Sequence, residues 1–301
     1  MIGISVKEDR VNFLSAFYSK SEIVINDFGI LPLKSQKFDS EIIEKIINRK
    51  KIKNSNIVSK KCMICIDSSE VIFNQISTSE KVDMATLIDW NNRLIFNDAK
   101  IDRYKDLHYQ ICPNNDMLSI YVDKNIQSEY YNYCKKSNLK ISCLSIDIFS
   151  ADYLARNMFD AESSSDYIVW GVGKNKDDMM IVQNNNFAGL VSFKRFKNSL
   201  EIIKCIGSEE YMLNCLNKIS HKGFTDFKSV DFVKKIYMYQ KCQNSDMKKI
   251  VKSNKEDIVI LNPLLKIDSF KKRRNEDINS SFLSEMGYLF KIIKEKGQIS
   301  D

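Results

Sequence analysis

Alternation of apolar and polar residues dominates the start of the chain and predicts three β-strands. The strands run from Ile2 to Lys7, Arg10 to Tyr18 and Glu22 to Leu31. Because the turns between them are short, they are expected to form an antiparallel meander. Asp39 is a candidate N-cap for a helix with apolar residues at helical spacing, and Lys61 to Ile66 is typical of a buried strand. The opening segment therefore predicts a sheet covered by a helix.

A similar order recurs in the second half of the chain. Strands are predicted at Tyr167 to Gly173, Met179 to Asn184 and Gly189 to Phe196, before a helix near Leu200 to Ile219. A β-β-β-α unit used twice in 301 residues predicts two lobes. An unrelated two-domain α/β fold is the alternative.

The block between the two units is a candidate insertion. It contains two predicted helices and two predicted strands, and a further strand and an amphipathic helix follow near the end of the chain. The helices are Met84 to Ile95 and Gln127 to Ser137, the strands are Leu107 to Cys112 and Met117 to Val122, and the late elements are Asp257 to Leu261 and Ser280 to Lys294.

Composition narrows the class of protein. The chain is 44% hydrophobic and 28% charged, as in ordinary globular proteins. Charged or amide residues interrupt every apolar run well before the roughly 20 residues of a membrane span. The start, MIGISVKEDRVN, resembles neither a signal nor a transit peptide. These observations predict a cytoplasmic protein without a membrane span.

The eight cysteines indicate reduced, buried side chains rather than a metal centre. Cys62 and Cys65 form a C-x-x-C pair, but no second pair follows, and His108 and His221 have no ligand spacing. We therefore expect no metal, with a metal or redox site as the alternative.

The net charge of +7 suits an anionic partner only weakly. Its densest runs are Arg49 to Lys51 and Lys271 to Arg274, which we interpret as solvated surface. No aromatic platform for stacking bases lies beside them. We expect no nucleic acid, while membrane-surface contact and nucleic-acid binding remain the alternatives.

Several short segments together resemble one known family. In order and spacing they are similar to the PilM family, the actin-like cytoplasmic component of type IV pilus assembly, and to the cytoplasmic part of GspL in type II secretion. The segments are Ile2-Gly3-Ile4, Phe28 to Leu33, Ile88-Asp89-Trp90, His108 to Ile111, Ser137 to Lys140 with Ser145 to Asp147, Ile260 to Leu264, and Ser284 to Tyr288.

The resemblance implies an α/β, actin-like (ASKHA) two-lobed fold with an inserted FtsA/PilM-type 1C subdomain. It implies that residues 1–77 form the first lobe, completed by about 151–165 and 283–301. The insert would span 78–150 and the second lobe 166–282.

The resemblance also indicates that nucleotide chemistry is lost. Two carboxylates that orient magnesium in actin-like ATPases correspond here to Ser5 and Gly171, so hydrolysis is not expected. The alternative is ATP binding without turnover. Its cofactor-binding residues would be Gly3, Lys7, Gly173, Lys174 and Gly287.

No other catalytic arrangement is evident, so the chain is not expected to be an enzyme. Asp177-Asp178 is interpreted as an exposed hairpin turn and Glu209-Glu210 as a solvated helix face. With two histidines and neither a Gly-x-Ser-x-Gly nor a His-Glu-x-x-His motif, the usual general bases and nucleophiles are missing.

By resemblance, the partner is a PilN-like inner-membrane protein. Its cytoplasmic N-terminal peptide would lie in a groove between the first lobe and the insert, with Trp90, Leu94, Phe96 and Tyr109 as the candidate contacts. Core packing is the alternative role for these four residues. Further platform components and the assembly ATPase are also expected partners, and homo-oligomerisation is left open. The expected location is cytoplasmic and peripheral to the inner membrane. A nucleotide-binding switch and a GspL-like secretion component are the alternative functions.

Overall fold

The computed structural model shows two large sheets, a small sheet and helices around them. It describes residues 1–7, 9–20, 22–33, 38–53, 61–78, 82–96, 102–110, 116–174, 176–196, 200–207, 235–242, 247, 250, 258–267 and 283–298. The strands are β1 (Ile2–Val6), β2 (Arg10–Ser19), β3 (Glu22–Pro32), β4 (Lys61–Ile66), β5 (Val71–Ile76), β6 (Tyr104–Gln110), β7 (Met117–Asp123), β8 (Lys140–Ile146), β9 (Tyr167–Val172), β10 (Asp177–Gln183), β11 (Asn186–Arg195), β12 (Leu200–Gly207), β13 (Lys235–Gln240) and β14 (Ile258–Ile260). The helices are α1 (Ser40–Ile47), α2 (Lys50–Lys53), α3 (Met84–Ile95), α4 (Lys124–Lys136), α5 (Asp147–Phe159) and α6 (Gly287–Gln298).

The first sheet has the strand order β3-β2-β1-β4-β8. Its first three strands form the predicted antiparallel meander, and β1, β4 and β8 run parallel. Asp39 caps α1 by accepting a hydrogen bond from the N–H of Ile42, and the buried face of the helix carries Ile42, Ile43 and Ile46. The predicted first unit is confirmed.

The second sheet has the order β12-β11-β10-β9-β13-β14. Asn184 and Asn185 have φ of 49° and 62°, which allows a two-residue turn between β10 and β11. The predicted helix at Leu200 to Ile219 is wrong in its first part, because residues 200–207 pair antiparallel with β11 as a sixth strand. The rest of that range lies outside the described residues, as does Glu209-Glu210.

The insert is narrower than the 78–150 range expected from the resemblance. β5 pairs with β7 in the small sheet β5-β7-β6, whereas β8 completes the first sheet. The boundary differs because β5, which precedes residue 78, needs β7 as its partner, and β8 needs β4. The small sheet and α3 therefore span residues 71 to 123.

The core runs through both lobes and fixes the cleft between them. α5 packs against β4 and β8 of the first sheet, against β9 and β10 of the second, and against α6. A continuous apolar cluster joins the two lobes, and a second cluster covers the other face of the second sheet. Within the described residues, no helix is long and apolar enough to cross a membrane.

Candidate functional site

The cleft collects charged residues because strands end there. Lys7 follows β1, Asp67 follows β4, and Asp147 follows β8 as the first residue of α5. Parallel strands bring their carboxyl ends to one edge of a sheet, which explains why these three side chains meet. Lys241 follows β13 of the second sheet and faces them across the cleft.

Lys7 binds carboxylates of its own lobe. Its Nζ lies 3.0 Å from Oδ2 of Asp147, 3.0 Å from Oε2 of Glu285 and 3.8 Å from Oδ2 of Asp67. Asn12 donates from Nδ2 to Oε1 of Glu285 at 2.6 Å. The lysine side chain is buried, and it ties β1 to the start of α5 and to the segment before α6.

Lys241 connects the two lobes. Its Nζ donates to Asp178 of β10 and lies 3.2 Å from Oδ2 of Asp67 and 3.6 Å from Oδ2 of Asp147. The hydroxyl of Ser68 also donates to Asp178. Because Asp178 belongs to the second lobe and the other oxygen atoms to the first, these bonds hold the cleft closed. We call Lys7, Asp67, Asp147, Asp178, Lys241 and Glu285 the cleft cluster.

Three carboxylates of the cleft cluster have the spacing of a metal site. Oxygen atoms of Asp67, Asp147 and Asp178 lie within 4.8 Å of one another. Lys241 Nζ, however, lies within 3.6 Å of an oxygen of each, so its ammonium charge stands where a metal charge would. The magnesium nucleotide that an actin-like fold implies does not fit these residues, since a second cation would meet the ammonium groups and phosphates would meet the carboxylates.

Lys241 and Asp67 of the cleft cluster hold each other in the ionised form. Burial acts to lower the pKa of Lys241, but Asp147, Asp178 and Asp67 outweigh it and hold this pKa well above its ordinary value. Burial acts to raise the pKa of Asp67, but Lys241 and Lys7 outweigh it and hold this pKa below its usual range. The ion pair between Lys241 and Asp67 therefore persists at neutral pH.

The prediction that Asp177-Asp178 forms an exposed turn is wrong. The two side chains are 1% and 0% exposed. Asp177 accepts hydrogen bonds from Nε1 of Trp170 and the N–H of Gly173, both at 2.9 Å, and pairs with Nε of Arg195 at 2.7 Å. These bonds neutralise and satisfy an acidic residue that opens a strand inside the fold.

The cleft contains carboxylates at positions that the resemblance did not indicate. The two positions that it did indicate carry no carboxylate, since Ser5 is buried in β1 and Gly171 lies in β9. The acidic groups come instead from Asp67, Asp147 and Asp178. Sequence reasoning missed these three. A usable signal was present for two of them, since Asp67 and Asp147 each directly follow an apolar strand segment.

The residues predicted to hold a nucleotide do not form one group. Lys7 belongs to the cleft cluster, and Gly173 and Lys174 lie in the turn before β10, where Lys174 is exposed. Gly3 lies in β1 against Met286 and Leu289, and Gly287 begins α6 against α5. These two glycines permit close packing of α6.

An apolar groove of about 450 Å³ separates the insert from both lobes. One wall is formed by the small sheet, one by β8 and the start of α5, and one by the β10–β11 turn and α6. Its lining residues are Leu107, Leu118, Ile120, Cys143, Leu144, Ser145, Ile146, Phe149, Asn185, Asn186, Phe187 and Tyr288. We call this space the insert groove.

β8 gives the insert groove a strand edge. It is the last strand of the first sheet and, within the described residues, pairs only with β4. Four of its residues, 143–146, line the groove. An open edge beside an apolar cavity is suited to an added strand from another chain.

Of the four residues predicted to contact the partner, Trp90, Leu94 and Phe96 do not line the insert groove. Trp90 is 56% and Leu94 is 86% exposed on α3, so neither is a core residue. Phe96 is buried and stacks on the ring of Tyr104 with centroids 4.2 Å apart. Tyr109 pairs through its backbone with Leu118, a groove residue.

The small sheet separates α3 from the insert groove. Asn91 of α3 donates to the hydroxyl of Tyr121 at 2.8 Å, so α3 covers the face on which Tyr121 lies. Ile120 and Leu118 alternate with it and line the groove on the opposite face. The backbone of Tyr109 thus belongs to the small sheet that forms one wall of the groove. Trp90 and Leu94 lie on α3, on the other face of that sheet.

Two meander-based lobes around a cleft, with a small subdomain inserted into the first lobe, define an actin-like fold, and the predicted fold class is confirmed. A chain of the solved "PilM-PilN type IV pilus biogenesis complex" matches with a TM-score of 0.65, covering 97% of this chain and 98% of that one. At 8% identity, the likeness establishes the fold.

Two solved structures match with lower scores. One is a protein with actin-like ATPase fold from Bacteroides thetaiotaomicron, at 14% identity over 90% of this chain and 93% of that one, with a TM-score of 0.45. The other is the cytoplasmic domain of EpsL, an inner-membrane component of the type II secretion system of Vibrio cholerae, at 7% identity over 79% and 81%, with a TM-score of 0.44. No protein-family model and no curated protein matches the sequence significantly.

Proposed function

We propose that this chain is a scaffold of a type IV pilus or related secretion platform that binds the cytoplasmic N-terminal segment of a PilN-like inner-membrane protein. The insert groove is the observation that carries the proposal. The solved structure with the same fold over 97% of this chain is a complex of PilM with PilN, which supports the choice of partner. A GspL-like role in type II secretion is the alternative for the same fold.

The proposed peptide binds as an added strand along β8. Its main chain pairs with the outward backbone groups of residues 143–146, and alternate side chains enter the apolar groove. Leu118, Ile120 and Phe149 supply apolar contact area, so the peptide needs apolar residues at every second position. Binding to such a membrane-anchored segment places this chain at the inner face of the inner membrane, where other platform components and the assembly ATPase meet it.

Titration of a fluorescent synthetic peptide tests the proposal. The probe copies the cytoplasmic N-terminal segment of the PilN-like protein from the same genome. Leu107→Asp places a charge in the groove at a side chain that is 42% exposed, so we expect the affinity to fall about tenfold or more with little loss of stability.

Trp90→Ala is the matched control, because it removes an exposed apolar side chain on the other side of the small sheet. We expect its peptide affinity to equal that of the native protein. Loss of affinity in Trp90→Ala with none in Leu107→Asp would move the partner site to the exposed side of α3, which carries Trp90 and Leu94, two of the four contacts expected from the resemblance.

We further propose that the chain does not hydrolyse nucleotide. Lys7 and Lys241 neutralise the carboxylates that a magnesium ion would need, which supports this proposal. A phosphate-release assay with magnesium and ATP is expected to give no turnover above background. Turnover that disappears in Lys7→Ala would contradict it, and binding of a labelled ATP analogue without turnover would support the nucleotide switch.

A further inference from the structure

A pocket of about 290 Å³ opens between α5, α6 and the β2–β3 hairpin of the first lobe. We call it the helix pocket. It shares no lining residue with the insert groove. Among the described residues, none that lines it belongs to the second sheet or to the cleft cluster, so it is a separate site on the molecule.

The floor of the helix pocket is apolar and comes from both helices and the hairpin. Leu154 and Met158 lie one turn apart on α5, so they share one side of that helix. Phe290 of α6 and Ile23 of β3 complete the floor. Leu154 and Phe290 are buried, whereas Met158 and Ile23 are half-buried. Because part of this apolar surface stays in contact with water, an apolar group that covers it gains free energy.

The rim of the helix pocket is positive. Lys291 and Lys294 are three residues apart on α6, and both line the pocket. Nζ of Lys291 lies 5.4 Å from the ring centroid of Tyr153 and 5.7 Å from that of Tyr288, so two aromatic rings hold this ammonium group in place. Within the described part of the chain, no aspartate or glutamate lines the pocket. The rim is therefore complementary to an anionic group.

Glu295 is the acidic side chain that pairs with this rim, and the pair is weak. Its Oε1 lies 3.9 Å from Nζ of Lys291, and the two side chains are 58% and 38% exposed. A long ion pair between solvated side chains contributes little to stability. An anionic ligand can therefore bind Lys291 and Lys294 without breaking a strong ion pair.

The size of the helix pocket restricts the form of the ligand. A volume of about 290 Å³ holds roughly ten groups of the size of a water molecule. This is too little for an amphipathic helix that inserts several apolar anchors. Apart from the hairpin residues, the walls are helical, and helices use their backbone groups internally, so side chains recognise the ligand. One unbranched apolar chain with an anionic end matches these limits.

We propose that the helix pocket binds a free single-chain carboxylate of the medium-chain fatty acid class. The alkyl chain covers the apolar floor, and the carboxylate accepts charge-assisted hydrogen bonds from Lys291 and Lys294. The bound molecule joins the hairpin to α5 and α6 and so stabilises the first lobe. This binding goes beyond the scaffold function and does not use the insert groove.

Isothermal titration with sodium decanoate, at concentrations too low for micelles, tests this site. We expect one decanoate to bind per chain. Acetate has the anionic end without the chain, and decyltrimethylammonium has the chain with the opposite charge. Each should bind about tenfold more weakly or worse. No binding of decanoate, or equal binding of decyltrimethylammonium, would overturn the proposal.

Two variants locate the site. Lys294→Glu reverses an exposed charge at the rim, and Asn157→Phe fills the pocket from an exposed position on α5. Each should lower the affinity for decanoate about tenfold or more, with the Tm of the free protein nearly unchanged. Lys135→Glu is the matched control, because it reverses an exposed lysine on α4 that does not line the pocket. Its affinity for decanoate should equal that of the native protein.

Undiminished affinity in either Lys294→Glu or Asn157→Phe would place decanoate elsewhere and overturn the proposal. An equal loss in Lys135→Glu would show unspecific charge attraction and would overturn it as well. The same holds if the PilN-like peptide displaces decanoate, because the helix pocket would then be part of the peptide site. The decanoate titration itself needs no peptide, so its outcome is independent of the scaffold function.

Discussion

Lys241→Met is expected to destabilise the protein by about 3–5 kcal/mol, because it leaves buried carboxylates without their counterion. The lysine side chain is 6% exposed, and it contacts Asp178, Asp67 and Asp147 from across the cleft. Chemical denaturation at pH 7 measures the effect. Lys194→Met is the control, since that lysine forms an exposed pair with Glu201 at 3.5 Å and its loss should cost well under 1 kcal/mol.

A second substitution is expected to recover much of the loss. Asp178→Asn in the Lys241→Met background removes one of the uncompensated charges, so the double variant should be more stable than Lys241→Met alone. If the double variant is instead the least stable of the set, the pairing of Asp178 with Lys241 does not account for closure of the cleft.

The stability of the native protein and that of Lys241→Met should depend differently on pH. In the native protein, Lys241 outweighs burial and holds the pKa of Asp67 and Asp178 below the ordinary value, so their stabilising contribution is present at neutral pH and is lost as the pH falls below about 4. In Lys241→Met the largest opposing charge is removed, so we expect burial to raise the pKa of both carboxyl groups. Acidification from pH 7 toward pH 5 should therefore narrow the stability difference between the two proteins.

Gly287→Leu is expected to cost more than about 4 kcal/mol, because a side chain there meets backbone. A Cβ at this position would lie 2.1 Å from the carbonyl oxygen of Ser150 and 2.9 Å from the N atom of Leu154, both in α5. The change would push α6 away from α5 and disturb the core shared by the lobes. The midpoint of denaturant unfolding is the measurement.

Glu295→Leu is the control for Gly287→Leu, since it places the same side chain on the exposed face of α6 and is expected to change stability by about 0.5 kcal/mol or less. An unchanged midpoint in Gly287→Leu would mean that α6 packs differently from the contacts described.

The first unit, which consists of the meander, α1 and β4, could be predicted from sequence because its local sequence preferences agree with its packing in the folded protein. The strands of the meander are rich in apolar and β-branched residues and are separated by short turns, Asp39 caps α1, and Lys61 to Ile66 is the observed β4. The extra strand β12 was missed because Leu200 to Gly207 alternates weakly and its pairing with β11 is a tertiary effect.

The cleft cluster could be predicted only in part. Asp67 and Asp147 follow apolar strands, which is a local signal, but Lys241 is separated from Asp67 by 174 residues and their pairing depends on how the lobes close. Adjacent acids such as Asp177-Asp178 usually mark a solvated turn, and here Arg195 and Lys241 make their burial tolerable. The insert groove also could not be predicted from the sequence. Trp90 is prominent in the sequence, but the small sheet separates it from β8.

Hydrogen–deuterium exchange during titration with the PilN-like peptide tests the scaffold proposal most directly. The account predicts that the outward-facing backbone amides among residues 143–146 become protected as the peptide saturates the protein, while those of α3 exchange as before. Protection confined to α3, or saturating binding that leaves the outward-facing amides of residues 143–146 unprotected, would contradict it.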